Sequence, residues 1–121
     1  DLVVLPGGMP GSAHLRDNQA LISQIKAFDQ AGKKVAAICA APIALHQAGV
    51  LKDKHFTCYD GVQENISDGI YRKEIVVVDG NLTTSRGPST ALAFAYELVA
   101  QLGGDAESLR VGMLYQDVFG N

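Results

Sequence analysis

Cysteine is scarce in this sequence, with Cys39 and Cys58 the only two. Two cysteines make neither a disulfide framework nor a zinc site, so a reducing, cytoplasmic setting is the expectation. Surplus positive charge is lacking as well. Ten Lys and Arg stand against 13 Asp and Glu, giving a net charge of -3 and a pI near 5.5. That balance argues against nucleic acid or an anionic membrane as partner. No apolar run approaches the roughly 20 residues of a membrane span. There is no visible signal peptide, internal repeat, low-complexity tract or interdomain linker. The 121 residues fit one domain with enough length for a core. An initiating Met is also absent. Asp1 to Leu5 already reads as a strand and runs straight into Pro6-Gly7-Gly8. Domains rarely open on their most apolar strand, so residues 1–121 are expected to form the C-terminal portion of a longer domain.

What is present is an alternation of strands and helices. Leu2 to Leu5 is the first strand, and Pro6 to Ser12 a loop with three glycines. Asp17 or Asn18 can cap a helix carrying Leu21, Ile22, Ile25 and Phe28 on one face, ended by Gly32. Val35 to Ile38 is a short apolar run that reads as a buried strand. Pro42 suits the first turn of a helix that stops at Gly49. His55 to Tyr59 reads as a strand and Asp60 to Asp68 as irregular or one helical turn. Glu74 to Val78, then Asp79-Gly80-Asn81, then Leu82 to Ser85 is a hairpin signal. The clearest helix follows Ser89-Thr90, with Ala91, Ala95, Leu98 and Leu102 as one stripe, widened by Leu92, Phe94 and Val99. Gly103-Gly104 stops it, and Asp105 can cap a last helix with Leu109, Met113 and Leu114. This pattern predicts an α/β sandwich with a mostly parallel sheet.

In open α/β sheets, ligands bind beyond the carboxyl ends of the strands. Three segments fall there: Gly7-Gly8, Cys39-Ala40 and Ser85-Arg86-Gly87-Pro88. Cys39 lies between a strand and a helix, where free backbone N–H groups and the helix dipole favour a thiolate. It reads either as a reactive nucleophile or as a small buried filler. The strand–Cys–helix order is that of a nucleophile elbow, although Ala37 and Ala41 stand where hydrolases place glycines. Gly8 and Ala40 could supply backbone N–H groups to an oxyanion hole. The Gly7-Gly8 loop matches neither the dinucleotide fingerprint nor the P-loop, and an ordinary turn also fits it. His14 could approach Cys39, whereas His46 lies about two turns along the helix and His55 faces solvent. For all three, an ordinary surface histidine is the favoured reading. Cys58 reads as core. Tyr59 could hydrogen-bond in the pocket, and Arg86 could bind an anion or form a structural ion pair.

Three motifs together resemble the ThiJ/PfpI superfamily, in the branch named for the parkinsonism-associated protein DJ-one. They are Val3 to Gly8, Ala36 to Pro42 and Leu82 to Ala91. The resemblance covers essentially the whole chain, in order. It implies a flavodoxin-like three-layer sandwich of the class I glutamine amidotransferase-like kind, and a homodimer. It implies that Cys39 is the oxidation-prone catalytic cysteine, with the N–H groups of Gly8 and Ala40 facing the reacting oxygen. Gly7, His14, Tyr59, Ser85, Arg86, Gly87 and Pro88 are then the expected pocket. Tyr59 stands where that branch often carries histidine. Ala40 stands where the protease-like branch has histidine, which speaks against a peptidase. The family's glutamate beside the cysteine has no match here and is expected in a preceding segment. The implied function is a cysteine-dependent stress response. It is either glyoxalase or deglycase action on methylglyoxal or its adducts, or redox sensing or chaperoning without turnover. No cofactor or metal is implied, and the partner would be a small carbonyl compound.

Overall fold

A computed structural model describes residues 1–120. Its first half follows the expected alternation except that two helices, not one, separate the first two strands. Strand β1 (Leu2–Leu5) leads through the glycine loop into helices α1 (Gly11–Asp17) and α2 (Gln19–Gln30), then β2 (Lys34–Ile38) and α3 (Pro42–Gln47). The Asn18 side chain caps α2 by accepting from the N–H of Leu21 at 3.1 Å. Gly32 ends α2 in the left-handed region (φ +72°), and the N–H of Lys33 closes back on the carbonyl of Phe28. The loop reading of Pro6–Ser12 is corrected at its end, because α1 already begins at Gly11.

Next come β3 (His55–Phe56) and β4 (Ile70–Tyr71), which pair in parallel as a separate two-stranded ribbon. Strand β3 is shorter than the expected His55–Tyr59, and β4 was not foreseen. A 3₁₀ turn over Val62–Asn65 separates them. The hairpin of β5 (Val76–Asp79) and β6 (Leu82–Ser85) turns on Gly80 and Asn81. Helix α4 (Ala91–Gln101) follows a short turn at Pro88–Thr90. The expected single last helix is two, α5 (Ala106–Gly112) and α6 (Tyr115–Phe119), broken where Leu114 turns left-handed at φ 63°. Leu109, Met113 and Leu114 are all exposed.

The main sheet runs β1-β2-β6-β5, parallel except for the β5–β6 hairpin. Alternation along β2 shows why this is a three-layer sandwich. Val35 and Ala37 point into a core with Ile22, Ile25, Ala44 and Leu45 from α2 and α3. Ala36 points the other way, onto Phe94 and Leu98 of α4, with Ile38 packed against that cluster. With helices on both faces, β2 must be apolar throughout, as its sequence is. The helix stripe expected on α4 is corrected. Phe94, Tyr96 and Leu98 are buried, whereas Ala91, Leu92, Ala95 and Leu102 are exposed. Tyr96 turns away from the sheet to meet the Tyr115 ring at 5.1 Å. Strand β1 is an edge of this sheet, and Val4 on it is 42% exposed.

Candidate active site

Parallel strands β1, β2 and β6 bring their carboxyl ends together, and all three expected segments meet there. Cys39 is the residue after β2. It holds φ 65°, a left-handed conformation that is uncommon for any residue but glycine. Its neighbours fix that turn. The N–H of Cys39 donates to the carbonyl of Ser85 at 3.0 Å, continuing the β2–β6 ladder by one rung. The carbonyl of Cys39 accepts from the N–H of Tyr59 at 2.9 Å, and the N–H of Ala41 returns to Ile38. The chain therefore turns sharply between strand and helix, with the Cys39 side chain standing half-buried at the bend.

Gly7 lies directly against this bend. A Cβ on Gly7 would sit 2.5 Å from the Cys39 Cβ and 2.9 Å from the Ile38 carbonyl. Glycine here allows the loop after β1 to touch the elbow, which is the close backbone approach the sequence suggested. Together Gly7, Gly8, Ile38, Cys39, Gly87, Pro88 and Ala91 line an open hollow of about 260 Å³. Neither Gly8 nor Ala40 spends its N–H on a backbone acceptor among the described residues.

A second hollow of about 240 Å³ adjoins the first and shares Gly87 and Pro88 with it. Its other walls are Tyr59, Asp60, Arg86, Ser89 and Thr90. Tyr59 is 53% exposed, and its ring passes close enough to Gly87 that a Cβ there would meet Cδ1 at 3.3 Å. It arrives because the segment after β3 is tied to the sheet, the N–H of Thr57 donating to Thr84 Oγ1 at 2.9 Å. Arg86 Nη2 donates to Asp60 Oδ1 at 2.5 Å. That bond holds the Asp60 carboxyl below the usual carboxylate range. Arg86 thus forms an ion pair within the chain, with Asp60 as its partner.

Two expected pocket residues are placed elsewhere. His14 stands exposed on α1 and lines neither hollow. Ser85 is fully buried, its hydroxyl donating to the Ile75 carbonyl at 2.6 Å and lying 2.7 Å from Thr90 Oγ1. It braces the loop from behind. Thr90 Oγ1 accepts the N–H groups of Arg86 and Gly87, fixing the Arg-Gly-Pro turn. Ile38, Asp60, Ser89, Thr90 and Ala91 are the lining residues that sequence reasoning passed over. Asp60 follows Tyr59 directly and was the visible acidic signal. Cys58 is fully buried, and burial pushes its thiol up to about 11. His46 on α3 sits 3.7 Å from Asp68, and His55 faces Arg72 at 3.3 Å. No titratable side chain besides Cys39 lines the first hollow. Among the described residues no cluster of His, Cys, Asp and Glu could hold a metal ion, and no helix is long and apolar enough to cross a membrane.

The class is therefore a mostly parallel α/β sandwich with a cysteine elbow facing a glycine loop. Within that class the chain belongs to the DJ-1/PfpI family, whose sequence profile matches residues 1–101. Protein DJ-1 homolog B of Arabidopsis thaliana is 36% identical over 112 residues, covering 92% of this chain and 26% of that protein. The glutathione-independent glyoxalase DJR-1.2 of Caenorhabditis elegans is 32% identical over 106 residues, covering 86% of this chain and 56% of that protein. The crystal structure of Drosophila melanogaster DJ-1beta superposes with a TM-score of 0.90 at 36% identity, over 93% of this chain and 63% of that one. The chain thus spans between a quarter and about three-fifths of the length of these relatives.

Proposed function

We propose that the protein this chain belongs to is a cysteine-dependent stress-response enzyme acting on small 2-oxoaldehydes such as methylglyoxal, with Cys39 as nucleophile. One observation carries the reading. Cys39 is held in a left-handed bend at the end of β2, facing an open hollow that Gly8 also lines, and the N–H groups of Gly8 and of the adjoining Ala40 have no backbone acceptor among the described residues. Strained backbone of this kind persists where surrounding structure imposes it, and it clusters at functional sites. The naming of one relative as a glutathione-independent glyoxalase supports the same chemistry.

In this reading the Cys39 thiolate adds to the aldehyde carbon, and the carbonyl π pair moves onto oxygen. The N–H groups of Gly8 and Ala40 donate to that oxygen. A proton shift from the former aldehyde carbon to its neighbour gives a thioester, and water releases a 2-hydroxy acid and the thiol. The proton carrier is a carboxylate from outside these 121 residues, as the family resemblance implies. Turnover of methylglyoxal without added thiol, compared between the full-length protein and its Cys39→Ala variant, tests this. Turnover retained by Cys39→Ala would refute it.

A second reading is a redox sensor or chaperone in which Cys39 is oxidised to sulfinate and nothing turns over. Its support is the half-buried Cys39 thiol, which faces an open hollow that a small oxidant can enter. Peroxide-dependent mass gain at Cys39 in a protein that leaves methylglyoxal unchanged would select it.

A further inference from the structure

We propose that the second hollow, which adjoins the Cys39 hollow, binds a carboxylate of the substrate through Arg86, so that 2-oxoaldehydes carrying a carboxylate are preferred over neutral ones such as methylglyoxal. This rests on the reading of Cys39 as nucleophile. The two hollows share Gly87 and Pro88 as walls, one presenting Cys39 and the other Arg86. They are also linked by backbone, since the N–H of Cys39 is bonded to the carbonyl of Ser85, the residue before Arg86.

The charge count favours a monoanion. Asp60 lies between two cations, Arg86 at 2.5 Å and Lys73 at 3.9 Å. One carboxylate between two cations leaves one positive charge uncompensated. The Asp60 pairing uses Nη2, while Nε of Arg86 is buried with no hydrogen-bond partner. Nε therefore faces the protein rather than the hollow, and the part of the guanidinium open to a ligand is its outer end beside Asp60. The planar guanidinium matches a carboxylate geometrically. A carboxylate brings one negative charge, whereas a phosphate brings about two, so the single surplus charge suits the former. The wall around Cys39 itself carries no charged side chain, whereas the adjoining hollow presents Arg86 and Asp60.

Iodoacetate and iodoacetamide test this directly, because they deliver the same carbon to sulfur and differ in carboxylate against amide. In each, the Cys39 thiolate forms the carbon–sulfur bond and iodide leaves. The ratio of the two labelling rates at Cys39, measured by peptide mapping on the full-length protein, isolates the charge preference. Arg86→Gln is expected to lower the iodoacetate-to-iodoacetamide ratio about threefold, the scale of a half-exposed ion pair. Asp60→Asn leaves Arg86 unpaired and is expected to raise it. The opposite signs separate recognition from damage, since misfolding would move both variants alike. Acetate should slow iodoacetate labelling at concentrations where inorganic phosphate does not, and the reverse order would overturn the carboxylate assignment. A ratio unchanged in Arg86→Gln would overturn the proposal alone, leaving Cys39 as nucleophile. Failure of both reagents to label Cys39 would overturn both readings.

Discussion

Replacing Gly7 by alanine should disable the cysteine elbow without touching the cysteine. The new methyl would lie 2.5 Å from the Cys39 Cβ and 2.9 Å from the Ile38 carbonyl oxygen. Both atoms belong to, or hang directly on, the backbone of β2 and its bend, so neither can swing aside as a side-chain tip would. Relief requires the loop after β1 to retreat or Cys39 to leave its left-handed turn. Overpacking of this sort costs roughly 2–4 kcal/mol. With a urea slope of about 1.5 kcal/mol per molar for a domain of this size, the midpoint should fall by about 1.3–2.7 M. Displacing the thiol should also slow alkylation of Cys39 by at least about tenfold. Gly8→Ala is the matched control. It meets nothing within 4 Å but must hold φ +92°, a backbone cost of roughly 1–2 kcal/mol. The order of the two variants is the test, read by urea denaturation and timed iodoacetamide labelling of the full-length protein. A Gly7→Ala variant more stable than Gly8→Ala, or with unchanged labelling of Cys39, would refute the contact.

Other outcomes follow from the same geometry. Cys58, buried and pushed up to about 11, should resist iodoacetamide at neutral pH while Cys39 labels, as peptide mapping would show. Because folding raises the Cys58 value above the usual thiol value of 9.0, its contribution to stability is complete below that value. It is lost as pH rises toward about 11, and denaturation midpoints of wild type and Cys58→Ala should converge through that window. Ser85→Ala strips a donor from the Ile75 carbonyl and a partner from Thr90. It should cost roughly 1–2 kcal/mol by urea denaturation, with the Arg86–Gly87 turn loosened. A two-fold dimer is the expected assembly of the full-length protein, and a monomer mass at micromolar concentration would count against it.

The elbow was legible because its ingredients are short-range. An apolar run ending in Cys39, then Pro42 at a helix start, fixes strand and helix within a few residues. The positive φ of Cys39 had no such signal, since the residue itself disfavours it and only the rungs to Ser85 and Tyr59 hold it there. Ser85 looked like a pocket residue because serine at a strand end so often is. What turned it inward was the Ile75 carbonyl, supplied by the residue just before the neighbouring strand β5. Helix α4 shows the limit of periodicity. Ala91, Ala95, Leu98 and Leu102 form a plausible stripe, but the sheet takes Phe94 and Leu98 while α6 takes Tyr96. Which apolar face of a helix is buried depends on what lies on each side, and that is not written in the helix. The break at Leu114 was equally silent, for leucine gives no hint of a left-handed turn.

The rung from the N–H of Cys39 to the carbonyl of Ser85 also has a kinetic meaning. Strand β2 pairs with β1 from the start of the chain and with β6 from far beyond it, so the elbow closes only after long-range pairing on both sides. Any opening that parts β6 from β2 releases the Cys39 amide at the same moment. Hydrogen exchange at that single amide therefore clocks the assembly and loss of the site, and it should slow whenever a bound ligand bridges the two strand ends.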